Sequence, residues 1–128
     1  MIKLVFLMRR KPGMSREAFQ HYWRHEHPKL IKRHAAKLKI RRYVQSHAIA
    51  PESVAAFRPE WDDSRAWDGV AEVWLDSLAV LADSRGNPEM DRIQAEIVAD
   101  EQSFVDLERS TMFITEEFEF VADGKWLD

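Results

Sequence analysis

The chain is predicted to fold as an α+β domain of order β-α-β-β-α-β, a four-stranded antiparallel sheet with helices on one face. Three observations carry this expectation. Residues 2–9 are apolar on both alternating sets, as a strand covered on both faces requires. Two stretches, 16–31 and 89–108, repeat their apolar residues at helical spacing. Three more, 38–48, 69–76 and 111–121, alternate or are rich in β-formers. At 128 residues the chain has room for one domain, spanning 1–128.

The first strand holds Ile2, Leu4, Phe6 and Met8 on one set and Val5 and Leu7 on the other. Lys11-Pro12-Gly13-Met14 is a turn, and Ser15 suits the N-cap of the helix that follows. Phe19, Tyr22, Trp23, Glu26, His27, Leu30 and Ile31 form its inward stripe. Pro28 should kink or end this helix, because proline removes a donor and clashes one turn back. The second strand sets Leu38, Ile40, Arg42, Val44 and Ser46 against Lys39, Arg41, Tyr43, Gln45 and His47. Residues 51–68 hold Phe57, Trp61 and Trp67 without regular period, so this segment reads as a long aromatic loop that could act as a lid. The third strand sets Val70, Glu72 and Trp74 against Ala71, Val73 and Leu75. A short helix over 78–84 breaks at Gly86-Asn87-Pro88, and the second long helix continues through Met90, Ile93, Ile97, Phe104 and Leu107. The last strand closes the split β-α-β order of the ferredoxin-like fold.

Hydrophobic residues make up 45% of the chain and charged residues 32%, the balance of a folded globular protein. A net charge of -3 argues against nucleic-acid binding, which needs a basic face. The basic run over 29–42 mixes its cations with apolar residues and reads as a solvated face. The absence of cysteine excludes disulfides, thiolate metal sites and a cysteine nucleophile. The N-terminal apolar stretch is too short for a signal peptide or membrane span, so the cytoplasm is the expected compartment and no membrane partner is expected. The four glycines are scattered, leaving no phosphate-cradling loop. His21 and His25 stand at metal-pair spacing but lack an evident third ligand, so no metal and no cofactor is expected.

A sheet with helices on one side leaves its other face bare, and Met8, Tyr43, Val70, Trp74 and Phe118 are assigned to that face. An apolar patch of that size calls for a cover, and a twofold copy of the same chain is the simplest, making a homodimer the expected state.

The segments Phe19-Gln20-His21-Tyr22-Trp23-Arg24-His25-Glu26-His27-Pro28, Arg42 to His47, Trp67-Asp68-Gly69-Val70-Ala71-Glu72-Val73-Trp74 and Phe113 to Glu117 together resemble an EthD domain in family order. That resemblance implies a dimeric α+β barrel with a small-molecule pocket between sheet and helices. Its members include proteins required for ether degradation, a cytochrome-type monooxygenase, a lactone methylisomerase and fungal dehydratases or decarboxylases. The lactone methylisomerase carries a helix-end histidine and a second-strand tyrosine at its pocket, which match His27 and Tyr43.

His27 shares the inward stripe and sits where Pro28 loosens the packing, so it is the candidate general acid/base; the alternative is a core histidine bonded to a backbone carbonyl. Tyr43 is the candidate stabiliser of an enolate oxygen, and Gln45 and His47 beside it could bind substrate; the alternative puts Tyr43 and Gln45 in cross-sheet dimer contacts and His47 at an exposed strand end. Glu72 needs a partner on a buried strand face; Arg41 or Arg42 could supply it, or Glu72 could orient His27 or bind substrate. Trp23 and Trp74 would close the pocket. The expected activity is cofactor-independent proton transfer on an aromatic, phenolic or lactone guest, of isomerase, dehydratase or cyclase type. The alternative is a non-catalytic accessory protein of an oxidative, ether-degrading pathway.

Overall fold

The computed structural model describes residues 1–49, 51–61 and 66–128. Its main sheet holds β1 (Ile2–Met8), β2 (Arg42–His47), β3 (Gly69–Leu75) and β4 (Thr111–Thr115) in the order β2-β3-β1-β4, every pair antiparallel. The doubly apolar β1 is central, flanked by β3 and β4.

Ser15 caps α1 (Arg16–His25) through its Oγ, which accepts from the Ala18 amide at 3.1 Å. The expected break at Pro28 occurs. One residue, Glu26, separates α1 from α2 (His27–Leu38), and Pro28 stands in the first turn of α2, where its missing N–H costs nothing. Within the segment read as an irregular loop lies a short helix, α3 (Pro51–Phe57); residues 62–65 of that segment fall outside the described residues. After α4 (Leu78–Asp83), Asn87 caps α5 (Pro88–Glu101), its Oδ1 accepting from the amides of Glu89 and Met90. The helix ends at Glu101, short of the expected Glu108, because the chain turns there to bury Phe104 and Val105. The last strand is likewise shorter than read. Beyond β4 the chain forms a small hairpin, β5 (Val121–Ala122) and β6 (Lys125–Trp126), turned by Asp123 and Gly124 at φ 51° and 75°, the left-handed pair such two-residue turns demand.

Register decides which side chains share a face. Leu4 pairs with Val73 and Tyr43 with Val73, whereas Val5 pairs with Glu72 and Arg42 with Trp74. Leu4, Phe6, Met8, Tyr43, Ala71, Val73 and Met112 therefore lie under the helices, while Lys3, Val5, Arg42, Val70, Glu72, Trp74 and Phe113 face the other way. This corrects the expected bare face. Val70 and Trp74 belong to it; Met8, 1% exposed, and Tyr43 belong to the covered one. Phe118 lies beyond β4 altogether and is 75% exposed. Alternation within a strand cannot say which of its two sets matches a neighbour's, since a one-residue slip exchanges them.

The core beneath the helices is aromatic. Phe19, Trp23 and Phe104 are fully buried, with Phe19 5.6 Å from Trp23 and 5.7 Å from Phe104 between ring centres, and Met8, Ala71 and Val105 pack against them. Among the described residues no helix is long and apolar enough to cross a membrane.

Candidate functional site

Between the sheet and helices α1, α2 and α5 lies a cavity of about 170 Å³. Its walls are mainly apolar, among them Leu4, Phe6, Trp23, Ile31, Val73 and Ile97. Four polar side chains reach it: His27 at the start of α2, Tyr43 on β2, and Gln94 and Glu101 on α5.

His27 is 6% exposed and packs on Phe104 at 5.2 Å. Its Nδ1 is 2.6 Å from Oδ2 of Asp100, and the other oxygen of that carboxylate accepts from the Tyr22 hydroxyl at 2.5 Å. A carboxylate facing Nδ1 fixes the tautomer: Nδ1 carries the hydrogen and Nε2 is left with a lone pair. Nε2 has no protein partner among the described residues, so it is the nitrogen available to a guest. The Asp100 hydrogen bond also raises the pKa of the Tyr22 phenol, holding Tyr22 as a donor.

Behind Tyr43 runs a relay of hydrogen bonds. The Gln45 amide donates to the Trp23 carbonyl at 2.8 Å and to the Tyr43 hydroxyl at 2.9 Å, and its own oxygen lies 2.8 Å from His47 Nε2. The His47 ring rests on Trp23 with centres 4.3 Å apart. Since Tyr43 accepts from Gln45, its hydrogen is free to be donated elsewhere. Burial raises the phenol's pKa and outweighs the hydrogen bonds from Gln45 and Trp23, so the group stays neutral and donating. His47 is shifted down, by burial first and by the nearby Arg24 second, which keeps it a neutral member of the relay.

Glu101 is 8% exposed and its carboxyl is pushed up to about 7, by burial first and by the adjacent Asp100 second.

A family model described as the EthD domain matches residues 11–108. The chain belongs to the EthD domain family. Among solved structures, an ethyl tert-butyl ether D family protein from Bacillus halodurans is similar at a TM-score of 0.60 and 18% identity, covering 92% of this chain and 99% of that one. A protein from Bacteroides fragilis, described as dimeric, of unknown function and of ferredoxin-like fold, is similar at 0.56 and 12% identity, covering 91% and 95%. A protein from Arabidopsis thaliana is similar at 0.56 and 14% identity, covering 95% and 100%. These likenesses bear on the fold, which is the expected ferredoxin-like one. No curated protein matches the chain by sequence.

Of the residues singled out from its sequence, this EthD chain brings His27, Tyr43 and Trp23 to one cavity. Gln45 and His47 share the sheet face of Tyr43 but stand behind it, in the relay, rather than in the wall. Glu72 and Trp74 are on the opposite face of the sheet and are not brought together with His27. Glu72 pairs with Lys3 at 2.6 Å, not with Arg41 or Arg42. The Trp74 indole donates to Glu117, with Lys3 and Arg42 over its ring at 5.2 and 4.5 Å. No described residue of 51–68 lines the cavity, and Phe57 is 81% exposed, so those residues do not form the expected lid over it. His21 and His25 stack at 4.7 Å on the exposed side of α1.

Asp100, Glu101 and Gln94 were missed. A signal existed: Glu101 follows Ile93 and Ile97 by eight and four residues, so a carboxylate occupies a position of the apolar stripe of α5.

Proposed function

We propose that this EthD chain is a cofactor-independent enzyme of small-molecule catabolism that moves a proton on a neutral ring compound, a lactone or a phenolic, held in the cavity. The observation that carries this reading is the Asp100–His27 pair, at 2.6 Å, on the wall of an apolar cavity that also receives Tyr43. An apolar cavity of roughly 150 Å³ admits benzene, so the present volume suits a single ring with few substituents. In a guest with a carbonyl, Nε2 of His27 takes the proton from the adjacent carbon. The C–H electron pair moves towards the carbonyl oxygen, where the Tyr43 hydroxyl donates a hydrogen bond, and Asp100 stabilises the imidazolium. Return of that proton to another carbon of the conjugated system completes an isomerisation, and no step needs an oxidant. Trp23 forms a wall, while Gln45 and His47 are positioning residues for Tyr43.

The chain is inferred to act in the cytoplasm as a homodimer. The dimeric Bacteroides fragilis neighbour supports the pairing, as does the sheet face carrying Val70 and Phe113, left without helices. Glu72 and Trp74 would then serve the contact between copies.

A second reading is favoured by the description of the Bacillus halodurans relative: an accessory protein of an oxidative ether-degrading pathway, binding in the same cavity without turnover. Proton NMR in deuterium oxide separates the two. The wild type should exchange the acidic C–H of at least one member of a butenolide, enone and phenol panel, and His27→Gln should bind that member without exchange. Binding of panel members with no exchange by the wild type would leave the accessory reading.

A further inference from the structure

Glu101 is the one ionised or ionisable carboxyl in the cavity wall among the described residues, and the proton-transfer scheme does not use it. It lies four residues from Ile97 and seven from Gln94, so α5 presents all three along one face. Its side chain has no hydrogen bond and no ion pair with any described residue, although it is buried. No Lys or Arg is among the described lining residues. The titratable groups around it are Asp100 on its own helix, His27 from α2 and Tyr43 from β2. A buried carboxyl with no partner resists ionising, and once ionised it opposes any second negative charge in the same apolar space.

We propose that Glu101 is a specificity-determining residue of the cavity, admitting neutral ring compounds that carry an oxygen acceptor and turning away ring carboxylates. Protonated, it donates a hydrogen bond to the guest's oxygen; ionised, it repels an anionic guest with no cation nearby to compensate. The upward shift to about 7 puts both states within the neutral range. This rests on the cavity being the guest site, but not on His27 turning the guest over.

The test uses benzamide and benzoate, similar in shape and differing in charge, with binding followed by isothermal titration to the full-length wild type. At about pH 8, benzoate should bind at least about tenfold more weakly than benzamide. Glu101→Gln should close that gap to about twofold by improving benzoate, while Glu101→Asp, which keeps the charge, should preserve it. The pH dependence of the ratio should persist in His27→Gln, which removes the imidazole from the same cavity wall. An unchanged ratio in Glu101→Gln overturns the proposal, as does equal binding of both probes by the wild type. Should Glu101→Gln fail to fold, the ratio in His27→Gln decides: a rise between about pH 6 and about pH 8 supports it and a flat ratio overturns it. Binding of neither probe removes the cavity as a guest site and the proposal with it. Selectivity without deuterium exchange removes the enzymatic reading alone.

Discussion

Gly69 opens β3 and pairs with both Met8 and His47, in the Asp68-Gly69-Val70-Ala71-Glu72 segment that carries much of the family resemblance. A methyl group added there would meet Cζ3 of Trp23 well inside contact distance, lie 2.7 Å from its Cη2, and stand 3.0 Å from the Ser46 carbonyl oxygen. Carbon atoms prefer about 3.5–4.0 Å, so Trp23 would have to retreat by about 1 Å. It has nowhere to go, being fully buried between Phe19, at 5.6 Å, and the His47 ring, at 4.3 Å. Overpacking of this kind costs about 1–3 kcal/mol, and a boxed indole belongs near the upper end. The backbone at Gly69 is not left-handed, so alanine carries no dihedral penalty there and even recovers up to about 1 kcal/mol of unfolded-state entropy. The net expectation for Gly69→Ala is a loss of about 2 kcal/mol, or a melting temperature about 6 °C lower by circular dichroism. Trp23→Phe removes the two offending atoms. In that background the added methyl should cost little, giving a coupling energy of about 1 kcal/mol or more in a double-mutant cycle. A Gly69→Ala protein melting within about 1 °C of the parent, or an undiminished penalty beside Phe, would refute the steric account.

Three further outcomes follow from the same geometry. Asp100→Asn should lower the rate of guest deuterium exchange by about a hundredfold or more by removing the carboxylate that fixes the His27 tautomer, with benzamide affinity within about twofold of the parent. Glu101 has an ordinary value of 4.5 and a folded value of about 7, so between these pH values the folded state holds a proton that the unfolded state has released. Stability should therefore fall as pH rises through that window, by up to roughly 3 kcal/mol in urea unfolding, and Glu101→Gln should lack this fall. Phe118 and Trp126 are 75% and 76% exposed in the single chain; if they cover a second copy, replacing both by Ser should weaken dimerisation by about tenfold or more in sedimentation equilibrium without lowering helix content.

What could be read from the chain beforehand was what depends on local order. The succession of strands and helices, the Ser15 cap and the break at Pro28 are all written within a few residues of where they act. Phe19 and Trp23 turn inward because a helix face is set by its own residues, and His27, beyond the break at Glu26, is buried where α2 begins. Tyr43 and Trp74 were misjoined for the opposite reason. Each strand's alternation was correct, but the parity linking β2 to β3 is a property of two distant segments, visible only once Tyr43 stands opposite Val73. The same limit hid the Lys3 partner of Glu72, which comes from β1 and not from β2. Asp100 was hidden differently: its partners Tyr22 and His27 lie more than seventy residues away, and nothing near it advertises an imidazole.

The two neighbouring carboxyls at the end of α5 then explain each other. Consecutive helical residues point about 100° apart, so one turn of backbone can serve two environments. Asp100 turns towards α1 and α2, where Tyr22 and the His27 ring take its two oxygens. Glu101 turns towards the cavity, where no described residue hydrogen-bonds its carboxyl. Residue type does not separate a carboxylate that orients a base from a carboxyl that meets the guest; the number of donors within reach does. Exchanging the two side chains in sequence would not exchange their roles, because Asp at 101 would still face an apolar wall and Glu at 100, one methylene longer, would push against the buried ring it has to hold.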